Sequence, residues 1–171
     1  MLGAGGLDAE IDVGGHTGTP LWWAARRVLD CTSTSAQTAG AVELATLLVQ
    51  KGADVNAVGT EANGTDSTPL CWLALAVSDG RAGAAALARL LVEQGANVNA
   101  VGTCRDGEDE CAALWWAARA VCDLRAGGLE LATLLVEKGA DVKVVGTYGD
   151  GKESTPLWWA GAYTRPLLSS T

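Results

Sequence analysis

The sequence predicts a mainly α fold, a solenoid of stacked helix pairs joined by hairpin loops. Three observations carry that prediction. One stretch is written three times, as Leu44 to Val55, Leu87 to Val98 and Leu131 to Val142, with the common reading Leu-Ala-Thr-Leu-Leu-Val-Glu-Lys-Gly-Ala-Asp-Val. Each copy has helical apolar spacing up to a glycine, Gly52, Gly95 or Gly139, and these glycines lie 43 and 44 residues apart. Glycine suits the left-handed position just past a helix, where a side chain would be penalised. After each copy come a Val-Gly-Thr triplet and a polar tip containing Asn63-Gly64, Asp106-Gly107 or Asp150-Gly151, which are hairpin-turn signals. Self-similarity at a fixed period marks a repeat architecture rather than an active site.

Taken in order, residues 1–18 form a glycine-rich lead-in whose alternating piece, Leu7 to Val13, resembles a worn copy of the connector between repeats. His16, the only histidine, has no evident partner there. Thr19-Pro20-Leu21-Trp22-Trp23 then opens the first helix. Threonine is a good N-cap, and proline at the first helical position loses no hydrogen bond. The opening recurs at Thr68-Pro69-Leu70-Cys71-Trp72 and Thr155-Pro156-Leu157-Trp158-Trp159, but the third copy reads Ala112-Ala113-Leu114-Trp115-Trp116. That copy lacks both signals, so capping by Asp109 or Glu110 and an earlier helix start are expected. The first helices run to Asp30, Asp79 and Asp123. Polar joints follow at Cys31 to Gly40, Gly80 to Gly83 and Leu124 to Gly128, the first the longest and the most mobile by expectation. The division expected is a lead-in at 1–18, repeats at 19–67, 68–111 and 112–154, and an incomplete fourth repeat at 155–171.

Composition limits the function. About half the residues are apolar (49%) with no Phe, two Tyr and seven Trp, which suits close-packed helices with a few large anchors and excludes a disordered chain. The net charge of −8 argues against nucleic acid, whose phosphates need a basic surface. Five cysteines show no CxxC pair and no zinc spacing, so no metal site is expected. Cys104 and Cys111 flank an acidic turn, and free thiols are expected there rather than a disulfide. No run of about 18 apolar residues exists, so no membrane span is expected. With no secretory signal either, an intracellular, cytoplasmic protein is expected. One histidine far from any Ser or Cys motif makes no triad, and no phosphate-cradling glycine loop follows a strand. No catalytic residue and no cofactor are therefore expected.

The Thr-Pro-Leu-Trp-Trp-Ala-Ala opening and the Leu-Leu-Val-Glu-Lys-Gly-Ala-Asp-Val ending together resemble the ankyrin repeat, a turn and two helices with a Thr-Pro-Leu-His-x-Ala opening and a period of about 33 residues. The resemblance covers roughly residues 19–165. Trp22, Trp115 and Trp158, with Cys71, stand in place of the family's histidine. The hydrogen bonding of that histidine is therefore expected to be lost and replaced by aromatic packing. The period is about ten residues longer than the family's, which also suits HEAT and armadillo repeats, but those lack a glycine-stopped helix followed by a hairpin. Asn56 and Asn99 take the family's hairpin asparagine, which braces the hairpin; Lys143 replaces it in the third copy. The tryptophan pairs are expected to pack between repeats, with Trp158 and Trp159 the exception that lies exposed.

What the resemblance implies is a non-catalytic protein-binding module docking its partner on hairpin tips and inner helix faces. The candidate contacts are Glu61, Asn63 and Asp66 on the first tip, and Arg105, Asp106, Glu108 and Asp109 on the second. Tyr148, Asp150 and Lys152 belong to the third tip, and Arg26 and Arg119 to the first helices. The acidic tips predict a basic partner segment, and a monomer is expected unless the unfinished last repeat self-associates. The alternative is the targeting or regulatory part of a larger enzyme, such as a ubiquitin ligase adaptor or a kinase.

Overall fold

A computed structural model describes residues 6–30, 35–104, 109–148 and 151–162. The chain begins with a hairpin of β1 (Ile11–Val13) and β2 (His16–Gly18), followed by helices α1 (Pro20–Leu29) and α2 (Ser35–Gln50). The same unit then recurs as β3 (Gly59–Thr60), β4 (Asp66–Ser67), α3 (Pro69–Ser78) and α4 (Ala84–Glu93). Next come β5 (Val101–Cys104), β6 (Asp109–Ala112), α5 (Ala113–Cys122) and α6 (Gly128–Glu137), and finally β7 (Gly146–Tyr148), β8 (Lys152–Ser154) and α7 (Pro156–Ala162). The architecture is a helix-hairpin repeat. The lead-in thus carries a hairpin of its own, as its resemblance to a connector implied.

First helices pack on first helices, α1 on α3, α3 on α5 and α5 on α7, while α2, α4 and α6 form a second layer behind them. The central α3 has neighbours on every side, and all ten of its residues are buried. Alanines at these contacts (Ala25, Ala74, Ala76, Ala117, Ala120) let the helices approach closely. Leu21, Leu70 and Leu114, one per opening, are at most 4% exposed, and burial of each contributes roughly 2 kcal/mol. The fourth copy differs: Leu157 is 76% and Trp158 52% exposed. Trp159, expected to be exposed with it, is instead partly buried, edge-on to Trp115 at 5.4 Å.

The hairpins pair edge to edge in two four-stranded antiparallel sheets, β1-β2-β3-β4 and β5-β6-β7-β8. Neighbouring hairpins meet through the threonine of Val-Gly-Thr, Thr60 with Thr17 and Thr147 with Glu110. Each second helix stops as its glycine requires. Gly52, Gly95 and Gly139 have φ of 88°, 91° and 86°. The amide after each donates back to a carbonyl five residues earlier, Ala53 to Leu48, Ala96 to Leu91 and Ala140 to Leu135. These are Schellman closures.

Two expectations are corrected. The first joint does not extend to Gly40, because α2 begins at Ser35. Its early turns carry good helix formers, Ala36 and Ala39, and bury Thr38 and Ala41, which outweighs one glycine in the helix. Nor does α5 start early. Ala112 is its N-cap, without a side-chain hydrogen bond, and Asp109 and Glu110 are held extended in β6 by pairing with β5.

Candidate functional site

The layer of first helices is built on the tryptophans of the openings. Thr19 Oγ1 accepts from the Trp22 amide at 3.3 Å, fixing the start of α1 and turning the Trp22 indole toward the following hairpin. There Nε1 donates to the carbonyl and the hydroxyl of Ser67, both at 3.1 Å. Trp115 repeats this on Ser154 at 3.1 and 3.0 Å. The hydrogen bond expected to be lost with the histidine is therefore kept, because an indole carries a donor at the end of a longer ring. At the same position Cys71 sends its thiol toward the Ala100 carbonyl at 3.6 Å. Burial pushes the Cys71 thiol up, opposed in part by hydrogen bonds from Thr68, so it stays a proton donor at neutral pH.

Room for the indoles comes from the hairpin glycines. A Cβ on Gly59 would lie 2.6 Å from Trp22 Nε1, one on Gly146 2.7 Å from Trp115 Cδ1, and one on Gly102 2.9 Å from Cys71 Sγ. The invariant glycine of Val-Gly-Thr is thus a steric counterpart of the opening tryptophan, a link the spacing alone did not reveal.

The second tryptophan of each pair faces arginine. Arg26 Cζ lies 5.9, 5.8 and 5.8 Å from the ring centres of Trp22, Trp23 and Trp72, within cation–π range. Its guanidinium bonds Glu61 through Nε to Oε1 at 2.7 Å and Nη2 to Oε2 at 3.1 Å. His16 completes the cluster, with Nδ1 2.8 Å from Glu61 Oε2 and 3.1 Å from the Ala62 amide. The first contact needs a proton on Nδ1 and the second a lone pair, so the ring makes one or the other according to which nitrogen carries the proton. His16 therefore has a partner, brought from 45 residues away in sequence. Arg119 sits likewise over Trp116 and Trp159, at 5.5 and 5.8 Å.

The sequence-derived contacts divide. Glu61 is corrected: at 4% exposure and held by Arg26, it is an internal brace and not a surface contact, since its carboxylate finds its cation within the chain. Arg26 is partly buried in the same pair. Asn63, Asp66 and Lys152 are exposed, and Arg119 is partly exposed. Asp109 and Tyr148 lie in strands β6 and β7. Arg105, Asp106, Glu108 and Asp150 lie outside the described residues. Cys111 is buried and its sulfur donates to the Thr147 carbonyl at 3.3 Å, and Gly102, not Cys104, stands opposite it in the sheet. Among the described residues no three His, Cys, Asp or Glu side chains are grouped to hold a metal.

The family model for the ankyrin repeat matches residues 18–60 and 65–103. The chain belongs to the ankyrin repeat family. No curated protein matches the chain. Ankyrin repeats are in general protein–protein interaction modules and typically lack catalysis. The hairpin asparagines of this ankyrin chain do brace the repeats. Asn56 Nδ2 donates to the Gly95 carbonyl at 3.1 Å, and its Oδ1 accepts from the Asn97 amide at 2.7 Å. Asn99 does the same with Gly139 and Asp141, at 3.1 and 2.7 Å. Asp8 accepts from the Asp54 amide at 2.8 Å, extending the pattern into the lead-in. No helix among the described residues is long and apolar enough to cross a membrane.

Proposed function

We propose that this chain is a non-catalytic protein-binding module, a short curved solenoid that meets a protein partner with its hairpin tips and inner helix faces. The observation that carries this reading is the contrast between copies. The second helix and its glycine stop are nearly identical in all three, whereas the tips after Gly59-Thr60, Gly102-Thr103 and Gly146-Thr147 differ in every copy. Hairpins that pair edge to edge within each of the two sheets support a docking surface shared by neighbouring repeats. The units acting in it are the repeats at 19–67, 68–111 and 112–154, with the partial fourth at 155–171.

Asp66, Glu110 and Glu153 are exposed on the described parts of the tips, and Asp106, Glu108 and Asp109 add acids to the second, so the partner offers a basic segment. The working form is a cytoplasmic monomer, with the exposed Leu157 and Trp158 the place where copies associate if they do. Charge reversal of Asp106, Glu108 and Asp109 to lysine is expected to weaken capture of the partner by about 10-fold or more. Raising salt well above about 0.15 M, where screening acts within about 8 Å, should weaken it as well. Capture indifferent to both changes would overturn the basic-partner reading.

A further inference from the structure

We propose that Arg119, with the tryptophans beneath it, is a receptor for one carboxylate side chain of a protein partner. The first repeat shows the same device already filled. There Arg26 lies over Trp23 and Trp72 and receives both oxygens of Glu61. The third repeat rebuilds the device with Arg119 over Trp116 and Trp159. The acid, however, is missing from its place. Glu61 follows Gly59-Thr60 directly, and the residue following Gly146-Thr147 is Tyr148.

The contact available to Arg119 among the described residues is Asp123, with Oδ2 3.9 Å from Nε, beyond hydrogen-bonding distance. Its side chain is 30% exposed, so the group is partly desolvated yet open to an arriving ligand. Trp116, the closer ring, is fully buried, so it offers its ring to the cation and not its N–H to a ligand. A guanidinium fork seated beside aromatic rings matches the two oxygens of a carboxylate. The chain's own net charge of −8 disfavours a polyanion and favours a single acid within an otherwise neutral or basic segment.

This inference rests on the docking surface proposed above, so its test separates the two. Two capped peptides, Lys-Lys-Gly-Glu-Gly-Lys-Lys and the same peptide with Gln for Glu, are titrated into the ¹⁵N-labelled full chain. The readouts are the Arg119 side-chain N–H and Trp116 indole signals, together with Kd. The Glu peptide is expected to bind about 10-fold tighter, the worth of one charge-assisted contact, and to shift both signals. Arg119→Gln should abolish the difference. Tyr148→Glu should abolish it too while leaving Arg119 in place, because it supplies the acid internally, and it should raise Tm. Equal affinity for the two peptides, or a preference surviving in either variant, overturns the carboxylate receptor. If the peptides bind equally and tip charge reversal removes both, the docking surface stands without the receptor. If neither binds, both readings fail.

Discussion

Leu124 is the one non-glycine residue with positive φ among the described residues, at 54°, and it is 73% exposed. It ends α5 where Gly80, at φ 73°, ends α3, and the closure is the same: Arg125 donates to Ala120 as Arg81 does to Ala76, each at 2.8 Å. The left-handed conformation costs an L-residue roughly 1–2 kcal/mol. Leu124→Gly is therefore expected to stabilise the fold by about 1 kcal/mol, read as a raised urea midpoint at unchanged slope. A second residue-level prediction concerns the tryptophan that replaces histidine. Gly59→Ala would force its Cβ into the Trp22 ring, and overpacking of this kind costs about 1–3 kcal/mol. In a Trp22→His background the same change should cost far less, giving a coupling of about 1 kcal/mol or more in a double-mutant cycle. Additive effects would show that the glycine does not serve the indole.

The helices show where local signals decide and where they do not. Three openings have Thr-Pro, and in all three, α1, α3 and α7, the threonine caps as expected, with Thr68 Oγ1 accepting from Cys71 N at 3.4 Å and Thr155 Oγ1 from Trp158 N at 3.3 Å. The uncapped α5 forms regardless, because Trp115 and Trp116 are fully buried and packing replaces the missing cap. Ala112→Thr should restore the cap and raise stability by about 1 kcal/mol. Helix α2 makes the opposite point. Its first turns read as a polar joint, Ser35-Ala-Gln-Thr-Ala-Gly40, since the apolar period begins only after them. Gly40 lies inside the helix, exposed and with nothing within 4 Å of an added Cβ. Gly40→Ala is accordingly expected to add about 1 kcal/mol, seen in thermal melts. A destabilising outcome would mean that the turn is not helical in solution.

Stacked units hold together through neighbour contacts, so stability divides into terms within repeats and between them. Asn56 and Asn99 each tie one repeat to the next with two hydrogen bonds. Asn99→Ala removes the second tie. At about 1 kcal/mol or less per exposed bond, it should cost roughly 1–2 kcal/mol and broaden the unfolding transition, as the third repeat opens separately. A cost with no broadening, read by following unfolding in hydrogen exchange repeat by repeat, would place the coupling in the helix layer alone. The proposed docking surface and the proposed Arg119 receptor together predict a partner of mixed charge, basic along the tips and acidic at one point.

The repeat unit, its glycine stops and its hairpins were legible in the sequence. Each depends on contacts within a few residues, or on a pattern that recurs where it can be compared with itself. The tertiary structure decided the partners of polar groups. Glu61 looks like a tip residue, yet folding closes it over Arg26 and beside His16. The Trp22 indole looks like mere bulk, yet it carries the hydrogen bond assigned to histidine. Those outcomes depend on which side chains are brought together from 35 to 45 residues away, and no local spacing encodes such a meeting. Arg119 stands in the sequence at the same place in its helix as Arg26; only the folded chain shows Arg26 holding a carboxylate there.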